Sequence, residues 1–121
     1  MTDNSIMQQV LHNAFDIETH KETFVNYLEV IITADGTIEY AVPSHTNKLA
    51  EVYGKSMDAV FEEYITQPRT QISWICDPVE WLCKKTGSIA VWNDRCVGIP
   101  NDKQKQTLKT LKLHGLYHGK I

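Results

Sequence analysis

Acidic side chains stop at Asp102: the rest of this 121-residue chain carries lysines and no Asp or Glu. Also missing is any apolar run as long as a membrane span requires, so no transmembrane segment is expected. The N-terminal Met-Thr-Asp-Asn-Ser-Ile-Met has neither the basic nor the apolar region of a secretory signal, which makes the cytoplasm the expected compartment. Cysteine is scarce and odd in number. Cys76, Cys83 and Cys96 sit in apolar or helical contexts, which fits buried thiols in a reducing compartment better than a disulfide framework. No segment repeats and none is of low complexity, so residues 1–121 read as a single domain. There is no Gly-rich phosphate loop, no serine elbow and no converged catalytic set, so neither an enzyme nor a cofactor is expected.

What is present suits a small core. The composition is 42% hydrophobic and 22% charged, with three Trp and five Tyr, which excludes a disordered chain. The net charge of −3 conceals a split. Residues 1–63 hold eleven acids against Lys21, Lys48 and Lys55, whereas residues 64–121 hold nine Lys or Arg against Asp77, Glu80, Asp94 and Asp102. Folded together, the halves either partly neutralise one another or present opposite faces to different partners.

Periodicity and turn chemistry predict an α+β domain. Ile6, Met7, Val10, Leu11, Ala14 and Phe15 lie at helical spacing over 5–15. From Thr23 to Thr33 the chain is β-branched and aromatic, Ala34-Asp35-Gly36-Thr37 supplies a turn, and Thr37 to Val42 is again extended before Pro43. Alternation puts Leu28, Val30 and Ile32 on one face with Ile38, Tyr40 and Val42 continuing it, and Glu29, Ile31 and Thr33 on the other. Ser44 caps a helix through Leu49 to Tyr53, and Ser56 a second to about Ile65. A loop follows at Thr66-Gln67-Pro68-Arg69. Asp77 and Pro78 open a helix that Thr86-Gly87 closes, Ser88 to Trp92 forms a third strand ended by Asn93-Asp94, and Asn101 caps a last helix through Leu113 that stops at Gly115. The expected architecture is a two- to three-stranded sheet built on the hairpin, with four to five short helices in one layer over one face. Such a sheet leaves two edges, so a homodimer is an open alternative.

Ala50, Gly54 and Val60 have the spacing of a helix-turn-helix, with Gly54 free to take φ > 0 between the helices. The second helix, however, offers Met57, Asp58, Phe61, Glu62 and Glu63 and no Lys or Arg, a face that repels phosphate. A packed helical corner is the competing interpretation. Glu62 and Glu63 are adjacent, so on a helix they diverge and do not form an acid/base pair. In the last helix Lys105, Lys109 and Lys112 fall within a sector of about 60°, with Leu108 and Leu111 on the adjoining face, and Lys103 and Lys120 extend the charge. This stripe is either a phosphate-binding surface or a solvated helix face. Trp74, Trp81, Trp92 and Tyr117 could stack bases, but their positions are those of ordinary core aromatics. Cys76, Cys83, His114 and His118 could be written as a zinc set. The spacing between the cysteines and the break at Gly115 do not fit one, and no metal is expected.

The run Glu80-Trp81-Leu82-Cys83-Lys84-Lys85-Thr86-Gly87, then Val91-Trp92-Asn93-Asp94, Pro100-Asn101-Asp102-Lys103-Gln104 and Leu113-His114-Gly115-Leu116-Tyr117 with Lys120 resembles small proteins encoded by bacterial prophages and related mobile elements. The likeness extends to Leu28-Glu29-Val30-Ile31 and to Asp35-Gly36-Thr37-Ile38-Glu39-Tyr40-Ala41-Val42-Pro43, and so covers most of the chain. That family carries no assigned activity and no established functional residues. The resemblance implies a cytoplasmic accessory protein of a mobile element, whose usual work is binding a host protein, a defence complex or nucleic acid rather than catalysis.

Two functions follow as expectations. The first is a non-enzymatic protein that binds a host or phage macromolecule, foremost a basic protein, through an acidic face of Glu39, Glu51, Asp58, Glu62 and Glu63. The alternative is a nucleic-acid-binding protein that uses Lys103, Lys105, Lys109, Lys112 and Lys120, with the corner over 44–65 as a shape element.

Overall fold

A computed structural model describes residues 27–66 and 78–121. The helix expected over 5–15, residues 23–26, most of the loop after Thr66, and the positions of Trp74, Cys76 and Asp77 lie outside the described residues. The hairpin forms where the turn chemistry sets it. Strand β1 (Val30–Ile32) pairs antiparallel with β2 (Ile38–Tyr40), Val30 opposite Tyr40 and Ile32 opposite Ile38. The turn closes as Thr33 N donates to Thr37 O at 2.9 Å, and the Asp35 side chain accepts from Thr37 N at 3.1 Å, the local bond that favours Asp in turns. Ala41, not Val42, continues inward. Val42 is 65% exposed, because regular pairing ends at Tyr40 and Ala41 N then donates to Glu29 O.

Three helices follow the expected caps. Ser44 accepts from Asn47 N to start α1 (His45–Tyr53), and Ser56 accepts from Ala59 N to start α2 (Met57–Ile65). Pro78, whose missing N–H has no partner to lose at a helix start, opens α3 (Pro78–Thr86). Then β3 (Ile89–Val91) pairs antiparallel with β1, Ile31 opposite Ala90. A tight turn, in which Trp92 N donates to Arg95 O at 2.8 Å, leads to β4 (Cys96–Val97), and α4 (Asp102–Leu113) closes the chain.

The sheet is therefore four-stranded and antiparallel, in the order β2-β1-β3-β4. The α+β class is as expected, but two details are corrected. A fourth strand is present, only two residues long. More importantly, helices cover both faces of the sheet rather than one. Val30, Ile32, Ile38, Ile89 and Val91 pack with Leu108 and Leu111 of α4 and with Leu116 and Tyr117. On the opposite face Ile31 and Ala90 pack with Leu49 and Ala50 of α1, Val60 of α2, and Val79, Leu82 and Cys83 of α3. The reason is in the two central strands. Val30-Ile31-Ile32 and Ile89-Ala90-Val91 are apolar at every position and fully buried, so neither face can meet water.

Two polar side chains tie the layers together. Gln104, at the third position of α4, accepts from Asn101 N at 2.8 Å while Asn101 accepts from Gln104 N, a reciprocal cap. Its Nε2 also donates to the carbonyls of Ile32, Thr33 and Gly87 at 3.0, 3.1 and 2.9 Å, so the start of α4 is fastened to the ends of β1 and α3. At the other end of the sheet Asn93 accepts from Leu28 N and donates to Leu116 O, both at 2.8 Å. Among the described residues, no helix is long and apolar enough to cross a membrane.

Candidate functional site

The α1–α2 corner is packed as its spacing predicts. Ala50 and Val60 are buried, and Gly54 takes φ +82°, its N–H donating to the carbonyls of Ala50 and Glu51. Charge and aromatic rings fix the corner. The Tyr53 hydroxyl donates to Glu63 at 2.7 Å, and the Lys55 ammonium donates to the same carboxylate at 2.6 Å. The Lys55 bond, then the Tyr53 bond, hold the Glu63 carboxyl below its ordinary pKa, while Glu63 raises that of Lys55. Trp81 of α3 meets Tyr53 and Tyr64 edge-on, with ring centroids 6.1 and 5.7 Å apart, an arrangement that suits the quadrupoles of aromatic rings. Lys55, at the turn between the helices, thus bonds back to the corner from its exposed side.

This docking decides what α2 shows to solvent. Val60 points into the core, Met57 and Tyr64 are half-buried beside it, and Glu63 turns to the corner. The outward side carries Asp58, Phe61, Glu62 and Ile65, which at 100° per residue occupy a sector of about 100°. Phe61 is 45% and Ile65 72% exposed. Two large apolar side chains flanked by two carboxylates, with no cation on the helix, form the most distinctive exposed surface among the described elements.

The other expected acids lie elsewhere. Glu51 is on α1 and pairs with Lys48 at 3.3 Å, an exposed contact of small energetic value. Glu39 is on β2 opposite Ile31, which turns it to the same face of the sheet as α1 to α3, at the rim of a cleft. Of the five, only Asp58 and Glu62 combine on one helix face.

The lysine stripe is real as a surface. Gln104, Thr107, Leu108 and Leu111 are the buried side of α4, while Lys103, Lys105, Lys109, Lys112 and Lys120 are exposed. Lys112 also donates to Gly119 O at 3.1 Å, which ties it to the C-terminal segment. Because α4 covers the face of the sheet opposite α1 to α3, the acidic and basic surfaces are held apart by the sheet.

The aromatic and thiol residues serve the cores. Trp92 packs at the edge of the α1–α3 core, stacked on His45 at 4.1 Å with Arg95 over its ring at 5.0 Å. His45 in turn bonds through Nε2 to Val91 O at 3.0 Å. Tyr117 is buried and donates to Lys120 O at 2.7 Å; burial, and then Cys96, push its hydroxyl pKa far up. Cys83 is buried and Cys96 half-buried. Cys83 lies in the α1–α3 core, whereas His114 and His118 follow α4 on the other side, so this part of the zinc set is not brought together. Among the described residues no group of three or more His, Cys, Asp or Glu could hold a metal ion.

Comparison with protein-family models, curated proteins and solved structures finds no match. The functional reading therefore rests on the surfaces. The sequence analysis did not single out Gln104, Asn93, His45 or Ser88. The Asn101-x-x-Gln104 spacing signals a capping box and could have found the first of these; the others act across long sequence separations and leave no local pattern.

Proposed function

We propose that this protein is a non-enzymatic accessory protein of a bacteriophage or mobile element that binds a basic host or phage protein through the outer face of α2. The observation that carries this reading is the exposure of Phe61 and Ile65 beside Asp58 and Glu62 on one face of α2. An aromatic and an aliphatic side chain can anchor a contact, and carboxylates around them select a partner with cationic groups at its rim. The resemblance to prophage-encoded proteins supports this setting in the cytoplasm. The test is affinity capture from host lysate, with and without phage genes expressed, using wild type and the double variant D58K/E62K. One protein, retained by wild type and lost with the variant, must then bind in purified form with salt-sensitive affinity. Recovery of nothing, or equal recovery by both forms, refutes the reading.

A second reading is favoured by the exposure of all five lysines along α4 and the C-terminal segment. In it the stripe contacts phosphates of nucleic acid, with weak binding that falls steeply with salt. Anisotropy titrations with short single- and double-stranded DNA at low and physiological salt decide it. Replacement of Lys105, Lys109 and Lys112 by Glu should abolish binding, and unchanged affinity eliminates it.

A further inference from the structure

A cleft of about 490 Å³ opens at the turn end of the sheet, on the face that α1 to α3 cover. Its lining is Thr33, Ala34, Asp35, Thr37, Glu39, Val52, Thr86 and Ser88. The strand register explains the arrangement. Thr37 lies beside Thr33 across the turn, and one rung beyond the Ile32–Ile89 pair sets Ser88 beside Thr33 on the other side. Three hydroxyl residues therefore cross the end of the sheet in a row, with strands about 4.8 Å apart. Glu39 borders the row from β2, and Val52 and Thr86 border it from the last turns of α1 and α3.

The chemistry of this lining has one sign. Glu39 and Asp35 are carboxylates, and hydrogen bonds from Thr33 and Thr37 keep Asp35 ionised by lowering its pKa. The Thr33 hydroxyl proton goes to Asp35, and the Thr86 hydroxyl donates to Leu82 O at 2.8 Å, so both present lone pairs. Two helix C-terminal turns add partial negative charge. Lys84 and Lys85 in the last turn of α3 do not line the cleft, and among the described residues no other cation does. Ser88 is 2% exposed, yet its Oγ is the one buried side-chain polar atom among the described residues that lacks a hydrogen-bond partner. Natural proteins rarely bury such a group without use. The cleft therefore offers acceptors in a row, an apolar wall at Val52, and an unpartnered hydroxyl that can turn to a ligand.

We propose that this cleft binds the guanidinium of an arginine side chain presented by a protein partner. A phosphate or carboxylate would meet only like charge. An ammonium is a compact point charge that engages one part of the row, whereas a planar guanidinium carries five donors in a fork that can span carboxylate and hydroxyls together. Val52 then packs against the aliphatic stem. The proposal rests on the protein-binding reading and names one chemical group of the partner, at a site separate from the outer face of α2.

The test is a ¹⁵N–¹H NMR titration of the intact protein with N-acetylarginine amide, the lysine and citrulline analogues serving as controls. For a ligand of this size the expected dissociation constant is on the order of 1 mM. Saturable shifts should centre on Asp35, Thr37, Glu39 and Ser88, be several-fold weaker for lysine, and vanish for the uncharged citrulline. E39Q should weaken binding at least fivefold and S88V should block it, both with an otherwise unchanged spectrum. D58K/E62K should bind the arginine probe like wild type. No saturable shift at the cleft overturns the proposal, as do equal effects of citrulline or an equal loss in E39Q and D58K/E62K, which would mean overall charge. None of these results bears on capture through α2, and loss of capture in D58K/E62K leaves the cleft proposal standing.

Discussion

Gln104 gives the sharpest test of how the layers are joined. It is fully buried, donates to three carbonyls, and accepts one backbone N–H at the start of α4. Gln104→Leu keeps the volume but removes every one of these bonds. The Ile32 carbonyl bond is buried, so leaving it unmade costs about 1–3 kcal/mol, and the three part-buried groups cost about 1 kcal/mol each. Added apolar burial offsets about 1–2 kcal/mol, which leaves a net destabilisation of about 3 kcal/mol. Gln104→Glu isolates the donor. It can still accept from Asn101 N but points a carboxylate at three carbonyls, so at neutral pH it should be less stable than Gln104→Leu. Burial and the carbonyls raise the folded-state pKa of this Glu above its unfolded value of about 4.3. The variant should therefore recover stability relative to wild type as pH falls through the raised folded value, with recovery complete near the unfolded one. Urea unfolding followed by circular dichroism at pH 7 and pH 5 measures both effects. A Gln104→Leu loss below about 1 kcal/mol, or a Gln104→Glu difference that does not move with pH, would refute this role.

Three further outcomes follow from single sites. Ser88→Ala removes a buried hydroxyl without a partner and should raise unfolding stability by about 0.5–1.5 kcal/mol; a loss in urea unfolding would mean that the Oγ is satisfied. Gly54→Ala adds a Cβ that meets nothing within 4 Å, so its effect is the left-handed backbone alone, about 1–2 kcal/mol of destabilisation. Gly54→Asn should lose less, and equal thermal stability for Gly and Ala would contradict the cap geometry. The third concerns Glu63, whose carboxyl is held below its ordinary value of 4.5 by the Lys55 and Tyr53 bonds. Its stabilising effect is present above 4.5 and lost as pH falls through the depressed folded value, so an NMR carboxyl titration should place it below 4.5, and Glu63→Gln should flatten stability across that acid window.

Much of the backbone is legible because its causes are local. Ser44, Ser56 and Asn101 each cap the helix they precede through a bond to a residue three positions on, and Pro78 and Gly87 bracket α3. The two corrections have different origins. Strand β4 has two half-buried residues between Arg95 and Gly98, too short for periodicity to register. Coverage of both faces, by contrast, was written in the unbroken apolar runs at 30–32 and 89–91, where strict alternation assigns Ile31 to an open face. The site was harder to see. Which side of α2 meets solvent depends on where Val60 docks and on Glu63 bonding back to Lys55, so Met57 and Glu63 leave the expected surface and Ile65 joins Phe61 on it. The capping box marks Gln104, but its bonds to Ile32 and Thr33 span 72 and 71 positions, and Ser88 meets Thr33 only across the sheet, so no window of sequence contains these contacts.

The same topology resolves the division of charge along the chain. Among the described residues, Glu51, Asp58, Glu62 and Glu63 lie on α1 and α2 on one face of the sheet, with Lys84 and Lys85 of α3 on the same side, and the lysines after Asp102 line α4 on the other. A helix, a sheet and a second helix each add about 10 Å of thickness. The outer surfaces are thus separated by more than the screening length of about 8 Å at physiological ionic strength. Neutralisation across the sheet, between α2 and α4, is therefore weak, and each surface keeps its own field. Under the proposed function, charge of one sign at α2 acts as a selector of partner rather than as a stabiliser. Lys55 is bound to Glu63, which leaves Asp58 and Glu62 facing outward beside Phe61 and Ile65. The cleft at the turn end, bordered by Val52 in the last turn of α1, adds to the same negative field. A partner that reads both must carry cations spaced along one side and an apolar contact between them, whereas a phosphate backbone could meet only the face that α4 presents.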